Sequence, residues 1–182
     1  LPVWGTANKN EKITVSFGSQ KVKTKADKNG KWKLVLAKLK ASKNGRVLKV
    51  KSSSSTLEVK DVLVGEVWFA CGQSNMRWEV KQSAKGSIEI PKANFPLIRL
   101  LDYRANPAFY PNNQVFPVSK LKTLTAETYY NSKGWEKCTP KTVGSFSAVA
   151  YYFGQNLHKE LDVPIGIIHI AVGGTLTESY IS

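Results

Sequence analysis

Residues 61–76 read DVLVGEVWFACGQSNM, and this stretch decides the fold of the chain. Positions 62–70 are nearly continuous apolar sequence, as expected for a β-strand that is buried on both faces of a sheet. The run Gly72-Gln73-Ser74-Asn75-Met76 follows directly, and residues 77–84 are compatible with a helix. The sequence therefore places Ser74 at a strand-to-helix junction.

Two roles are open to a serine at such a junction. The commoner role is helix N-cap, in which the hydroxyl accepts a hydrogen bond from a backbone N–H of the first turn. The other role is nucleophile. The carboxyl edge of a parallel sheet exposes the hydroxyl, and the nearby helix start offers N–H groups to a developing oxyanion.

A helix and a second buried strand are predicted near the carboxyl end. Apolar residues recur at helical spacing after Ser145, which is available as a cap, and Pro164 stops the pattern. They are Phe146, Val149, Ala150, Phe153, Leu157 and Leu161. Residues 165–171 read as a buried strand, and the order strand, helix, strand predicts a parallel sheet with helical crossovers. Residues 91–142 contain six prolines and are interpreted as loops and short strands.

Residues 12–60 have a different pattern, in which apolar and polar residues alternate as in half-buried strands. The pairs Asn29-Gly30 and Asn44-Gly45 favour two-residue hairpin turns, because both central positions need positive φ. The predicted fold class is therefore α/β. A small antiparallel β-domain, residues 1–60, precedes the first part of a parallel-sheet domain, residues 61–182.

The positive charge of the chain is concentrated in the predicted β-domain. The formal net charge is +14, and residues 1–60 hold 15 Lys or Arg against three acidic residues, a net charge of +12. Such a cluster can attract an acidic polymer. We favour a solvated sheet face instead, since Lys21, Lys23, Lys25, Lys31 and Lys33 alternate along strands and edge strands commonly carry Lys. A nucleic-acid partner is not predicted, because no zinc spacing, RNA-binding signature or aromatic-rich basic helix accompanies the charge.

Composition argues against several other classes of protein. No apolar run reaches the roughly 18 residues of a membrane-spanning helix. The chain begins without Met, so we expect a mature or trimmed product, and the missing signal peptide carries no information on compartment. Cys71 and Cys138 form no Cys-x-x-Cys pair, so no zinc or redox motif and no disulfide are expected. Gly173-Gly174 is too short for a phosphate-binding fingerprint, and no metal or cofactor is predicted.

Residues 61–76 resemble the signature of the sialate O-acetylesterase family, serine esterases of the SGNH type. Residues 146–154, residues 163–166, the run Gly173-Gly174-Thr175 and Glu178 resemble the same family in the same order. The β-domain is similar to the small β-domain found with the catalytic domain in that family. The resemblance covers nearly the whole chain and corresponds to the amino-terminal part of the family only.

The resemblance implies a hydrolase that removes acetyl groups from carbohydrate hydroxyls. Ser74 is the implied nucleophile, and its N–H together with that of Gly174 or Gly173 forms the implied oxyanion hole. Gln73, Asn75 and Glu178 are candidate substrate-binding residues. Acetyl transfer to serine needs no cofactor. The resemblance favours sialic acid O-acetyl esters as substrate, and a secreted, periplasmic or lysosomal location.

The family's catalytic Asp and His belong to a later block that this sequence does not contain. A second polypeptide or a carboxyl-terminal half is therefore expected to supply them. His158 is interpreted as a helix-packing residue and His169 as a core residue. Asp27, Asp61, Asp102 and Asp162 match no catalytic block of the family.

Two alternatives remain open beside the sialate esterase. One is an acetylxylan or other polysaccharide acetylesterase. The other is a non-catalytic glycan-binding fragment, in which the basic β-domain holds an acidic glycan. Two positions depart from the family pattern: Arg77 stands where Glu is expected, and Tyr180 where Trp is more frequent.

Overall fold

The computed structural model describes residues 1–106 and 122–180, so part of the predicted proline-rich region lies outside the described residues. The chain divides into two compact units, Leu1–Gly65 and Glu66–Ser182. No helix in the described residues is long and apolar enough to cross a membrane.

The first unit consists of antiparallel strands, as the sequence predicted. They are β1 (Pro2–Thr6), β2 (Lys12–Phe17), β3 (Gln20–Lys25), β4 (Lys31–Val35), β5 (Ser42–Lys51) and β6 (Thr56–Val64). Strands β1 and β4 form a two-stranded sheet, and a second sheet has the order β3-β2-β5-β6. A buried cluster that includes Ile13, Val15, Phe17, Leu34 and Leu36 forms the core of this unit.

Neither predicted hairpin turn is present. Strand β4 pairs with β1, so the Asn29-Gly30 turn does not join paired strands. Its shape comes from the Asp27 carboxylate, which accepts hydrogen bonds from the N–H groups of Asn29 and Lys31 at 2.8 and 2.9 Å. The pair Asn44-Gly45 lies inside β5, where the register against β6 shifts. A Cβ at Gly45 would overlap the Asp61 side chain, so close approach of two strands explains this glycine.

The lysines of β3 and β4 face solvent, which confirms the predicted solvated sheet face. Lys21, Lys23 and Lys25 are exposed along β3, which lies at the edge of its sheet. Lys31 and Lys33 are exposed along β4.

The second unit contains a mixed sheet and one long helix. Its strands are β7 (Glu66–Gly72), β8 (Phe95–Ala105), β9 (Tyr130–Asn131), β10 (Trp135–Cys138) and β11 (Ile165–Ala171). The sheet order is β10-β8-β11-β7, and β9 pairs with the end of β8. Strand β11 runs parallel to β7, as predicted, and also to β8, whereas β10 is antiparallel to β8.

The helices of this unit are short apart from one. They are α1 (Ser74–Arg77), α2 (Gly86–Glu89), α3 (Ala126–Tyr129), α4 (Pro140–Val143) and α5 (Ala148–Leu161), with 3₁₀ turns at Val80–Gln82, Ile90–Lys92 and Thr177–Tyr180. Helix α5 contacts β11 and β8. The core of the unit lies between them and includes Ile98, Leu100, Phe146, Tyr151, Ile165 and Ile167.

Three details of the sequence-based prediction are wrong in this unit. The residue that caps α5 is Ser147, whose hydroxyl accepts from Ala150 N, and not Ser145. The region predicted as loops and short strands contains the eleven-residue strand β8. The apolar run 62–70 is two strands, because β6 continues to Val64 in the first unit and β7 begins at Glu66. The predicted domain boundary at residues 60 and 61 therefore lies within β6.

Strand β7 is much more exposed than the sequence predicted. Val67, Trp68 and Phe69 expose 62%, 43% and 52% of their surface. In the described part of the chain β7 is an edge strand, since it pairs only with β11.

Candidate active site

Ser74 is exposed at the carboxyl end of β7, as the junction in the sequence predicted. It is the first residue of the one-turn helix α1, and the N-cap position belongs to Gln73, whose side chain makes no capping hydrogen bond. Across residues 1–106 and 122–180, no partner is found for the Ser74 hydroxyl. Ser74 is therefore not a helix cap, which removes the commoner explanation for a serine at this junction.

The helix predicted over residues 77–84 is largely absent. Helix α1 ends at Arg77, and the chain continues through Trp78 and Glu79 to a 3₁₀ turn at Val80–Gln82. This segment is held to the start of α5, since Ser147 Oγ donates to Met76 O at 2.6 Å and Ala148 N donates to Trp78 O at 2.7 Å. Tertiary hydrogen bonds, and not a long helix, thus fix the chain after the candidate nucleophile.

The Gly173-Gly174 segment leaves the same edge of the sheet as Ser74. Ala171 pairs with Gly72 in the parallel register of β11 and β7, and Val172 N donates to Gly72 O at 3.1 Å. Gly174 has φ +78°, a left-handed conformation that favours glycine, and no atom lies within 4 Å of where a Cβ would sit. Both glycines are exposed.

The remaining candidate residues also lie at this edge. Gln73 and Asn75 flank Ser74 and are exposed. Glu178 is exposed in the 3₁₀ turn Thr177–Tyr180, which follows the glycine pair. The structure thus brings these candidates to one side of the sheet, while their contact with a substrate stays a prediction.

A group of hydroxyl contacts joins the two chain segments at this edge. Tyr180 Oη donates to Gly72 O at 2.8 Å and accepts from Val172 N at 3.1 Å. It also lies 2.9 Å from Thr175 Oγ1, which is 2.8 Å from Val172 O. The sequence marked Tyr180 only as a departure from the family pattern, and its role as a link between strands was missed.

An Asp–His pair, with the histidine buried and the aspartate partly buried, joins neighbouring strands of the sheet behind this edge. Asp102 Oδ1 lies 2.7 Å from Nδ1 of His169, which is only 2% exposed. Arg104 joins Asp102 to Glu79, with Nε 2.7 Å from Asp102 Oδ2 and Nη1 2.9 Å from Glu79 Oε1. Lys81 completes the network at 2.7 Å from Glu79 Oε2. Sequence reasoning took His169 as a core residue and missed its partner, because β8 was not recognised as a strand.

The network lowers the pKa of both carboxyl groups. Burial alone raises the pKa of Asp102, but hydrogen bonds from His169 and Arg104 outweigh burial and hold it below its ordinary value. The pKa of Glu79 is lowered in the same way, with Lys81 and Arg104 as the partners. Both side chains are therefore ionised near neutral pH.

The Asp102–His169 pair resembles two thirds of a serine-hydrolase triad, but its placement does not suit that role. The second ring nitrogen, Nε2 of His169, is sealed from solvent and has no hydrogen-bond partner in the described residues. In the sheet register His169 is level with Ala70, two residues before the end of β7. A general base must reach the nucleophile within hydrogen-bonding distance. No contact of this kind joins His169 to Ser74.

In the described residues, the remaining reactive side chains are two cysteines, both without a disulfide bond. Cys71 and Cys138 are free thiols, and burial raises the pKa of the Cys138 thiol to about 12. Within the described ranges no group of three or more His, Cys, Asp or Glu side chains is arranged to hold a metal ion.

Comparison with known proteins supports the family resemblance. Sialate O-acetylesterase from Mus musculus is 27% identical over 99% of this chain and 34% of that protein. The Homo sapiens sialate O-acetylesterase is 28% identical over 99% of this chain and 35% of that protein. A crystal structure of a carbohydrate acetylesterase from Xanthomonas citri superposes with a TM-score of 0.80 at 32% identity, covering 100% of this chain and 38% of that one. No protein-family model matches the chain.

These matches agree with the fold described above, an antiparallel β-unit followed by a sheet with parallel strands. The chain spans about one third of the length of the curated relatives it matches. The resemblance recognised in residues 61–76 is confirmed: over its whole length the chain is similar to about one third of the sialate O-acetylesterases and of the carbohydrate acetylesterase.

Proposed function

We propose that this chain carries the nucleophile of a carbohydrate O-acetylesterase. The observation that carries the proposal is the position of Ser74, exposed and free of any capping role at the carboxyl end of β7. The names of the relatives add the reaction class, because each is an acetylesterase that acts on a sugar.

The proposed reaction proceeds through an acetyl-enzyme. A base removes the Ser74 hydroxyl proton as Oγ attacks the carbonyl carbon of the acetyl ester. The oxyanion that forms accepts hydrogen bonds from Ser74 N–H and from the glycine segment, each donor being worth about 3 kcal/mol. The protonated base returns its proton to the departing sugar oxygen, and water then releases acetate from Ser74 by the same steps in reverse order.

The base is proposed to come from outside this chain. His169 is sealed behind the sheet, and His158 Nδ1 is 2.7 Å from the carbonyl of Val163 at the other end of α5. The open edge of β7 supports completion by a further polypeptide or chain segment. A strand with exposed Val67, Trp68 and Phe69 is unusual at a free edge of a parallel sheet, where unpaired backbone groups and apolar surface favour association.

Sialic acid O-acetyl esters are the proposed substrate, with acetylated plant polysaccharides as the alternative. The names of the curated relatives, which are sialate O-acetylesterases, favour the sialic acid esters, and the name of the carbohydrate acetylesterase leaves other acetylated sugars open.

The experiment that tests the proposal is acetate release by the protein in its native form. An O-acetylated sialoside, acetylated xylan and a small synthetic acetyl ester should be compared at low and at moderate ionic strength. Hydrolysis of the sialoside that weakens with added salt would support an acidic substrate. No acetate release from any of the three esters would contradict the proposed activity.

A further inference from the structure

We infer that Tyr180 is a positioning residue that holds the glycine segment of the oxyanion hole in place beside the nucleophile. The inference rests on the proposed function and adds a residue to it. Tyr180 lies in the 3₁₀ turn after the glycine pair and reaches back to the end of β7. It acts through backbone groups that it contacts and is not a catalytic residue.

One hydroxyl group connects the last residue of β7 with the first residue after β11. Tyr180 Oη is 2.8 Å from Gly72 O and 3.1 Å from Val172 N. Gly72 comes two residues before Ser74, and Val172 comes directly before Gly173. The same oxygen atom therefore contacts both chain segments just before the residues that carry the proposed oxyanion donors.

The protons of this cluster can be assigned from donor and acceptor capacity. A carbonyl oxygen only accepts, so the phenol proton of Tyr180 goes to Gly72 O. Tyr180 Oη then accepts from Val172 N–H and has one lone pair left for Thr175 Oγ1 at 2.9 Å. Thr175 Oγ1 donates its own proton to Val172 O at 2.8 Å, and its 2.9 Å contact with Tyr180 Oη shares that proton. Every polar group of the cluster is then satisfied.

Few side chains pack against the glycine segment. Both glycines of the segment are exposed, and no atom lies within 4 Å of a Cβ built at either of them. Leu176, next in the chain after Thr175, is 71% exposed. Side-chain packing therefore contributes little to holding Gly173 and Gly174. The Tyr180 hydroxyl and the Val172–Gly72 hydrogen bond hold the residue that directly precedes the glycine pair.

Three substitutions separate the parts of this arrangement. Tyr180→Phe removes the donor and the acceptor while keeping the ring. Tyr180→Trp restores one N–H donor, which Gly72 O can accept, but offers no acceptor to Val172 N–H. Tyr152→Phe is the matched control, since Tyr152 is half-buried on α5 and no hydrogen bond of its hydroxyl is found in the described residues.

The test combines kinetics with amide hydrogen exchange on the protein in its native form. For Tyr180→Phe we expect kcat on an acetyl ester to fall about 10- to 100-fold with KM within about twofold, because displaced donors weaken transition-state binding more than substrate binding. Exchange of the Val172 and Thr175 amides should be faster. Tyr180→Trp should recover part of kcat, and Tyr152→Phe should match the wild type.

The outcomes distinguish this inference from the proposed function. An active enzyme whose Tyr180→Phe variant keeps its kcat within about twofold, or shows unchanged exchange at Val172, would overturn the positioning role alone. A rise in KM with kcat unchanged would also overturn it, since that pattern reports uniform substrate binding. Absence of esterase activity in the wild type would overturn the proposed function itself.

Discussion

Asp102 on β8 accepts a 2.7 Å hydrogen bond from Nδ1 of His169 on β11, and the two residues are direct neighbours in the parallel register of these strands. Because an ionised carboxylate only accepts, the Nδ1 atom carries the proton. The pair is tied through Arg104 to Glu79, in the segment that follows Ser74. A partly buried ionic network therefore links the centre of the sheet to the chain that leaves the candidate nucleophile.

The first prediction concerns this pair. Asp102→Asn should lower the free energy of unfolding at pH 7 by about 2–4 kcal/mol, since it removes one of the two carboxylates that pair with Arg104 and leaves His169 with a weaker acceptor. The pKa of Asp102 is depressed in the folded protein, so its contribution is present above the unfolded-state pKa of about 3.9 and is lost as pH falls through the folded value. The difference between wild type and variant should thus be constant from pH 7 to 5 and shrink below about pH 4.

Chemical denaturation at pH 7, 5 and 3 measures this difference. Glu160→Gln is the control, because Glu160 is exposed on the last turn of α5. A variant as stable as wild type at pH 7, or a deficit that persists unchanged at pH 3, would show that the network does not stabilise the fold in this way.

The second prediction concerns the packing of α5 on the sheet. A Cβ at Gly154 would overlap Cδ1 of Ile167 and lie 3.1 Å from its Cγ1. Replacing Gly by Ala inside a helix normally raises the free energy of unfolding by about 1 kcal/mol. Here the overlap should outweigh that gain, so Gly154→Ala should lower the free energy of unfolding by about 1–2 kcal/mol.

Thermal denaturation with a paired variant checks the mechanism. The double variant Gly154→Ala with Ile167→Val should lose less stability than the sum of the two single variants. The reason is that valine lacks the Cδ1 atom that the new Cβ would overlap. Gly144→Ala is the control, since its Cβ would meet only Ile90 Cδ1 at an ordinary 3.5 Å. Strict additivity of the first pair would argue against the proposed overlap.

Much of this fold could be predicted from sequence, and the errors have physical causes. The alternating pattern of residues 12–60 and the helical spacing after Phe146 are local signals, and both predicted the correct element type. The parallel pairing of β7 with β11 followed from their order around a helix. Strand β8 was missed because proline and turn-forming residues dominate the composition of residues 91–142, whereas the strand itself occupies only 11 of them.

The candidate site, too, could be predicted only in part from local sequence signals. The exposure of Ser74 followed from its place after a strand, but its freedom from a capping role depends on φ and ψ at Gln73, which no residue pattern reports. The contacts of Tyr180 with Gly72 and of Asp102 with His169 join residues 108 and 67 positions apart. Contacts this distant depend on strand register, which one sequence does not specify.

The third prediction concerns the open edge of β7. If a further segment covers this strand, Val67→Lys in the native form of the protein should reduce stability by about 2 kcal/mol, since a charge replaces a buried apolar side chain. Ile88→Lys is the control, because Ile88 is similarly exposed, at 56% against 62% for Val67, but lies on α2. Thermal denaturation, which reports the stability, and intact mass, which reports any second polypeptide, should be measured together. Equal, small effects of the two substitutions would contradict a covered edge.

The most direct test of the central claim is covalent labelling by a fluorophosphonate, a probe that phosphonylates activated serine hydroxyls. In the native form of the protein we expect one label per chain, on Ser74, and its complete loss in Ser74→Ala. Ser87→Ala should label normally, because Ser87 is exposed on α2 without a hydrogen-bond partner in the described residues. A label that persists in Ser74→Ala, or wild-type protein that takes up no label, would contradict the account of Ser74 as the nucleophile.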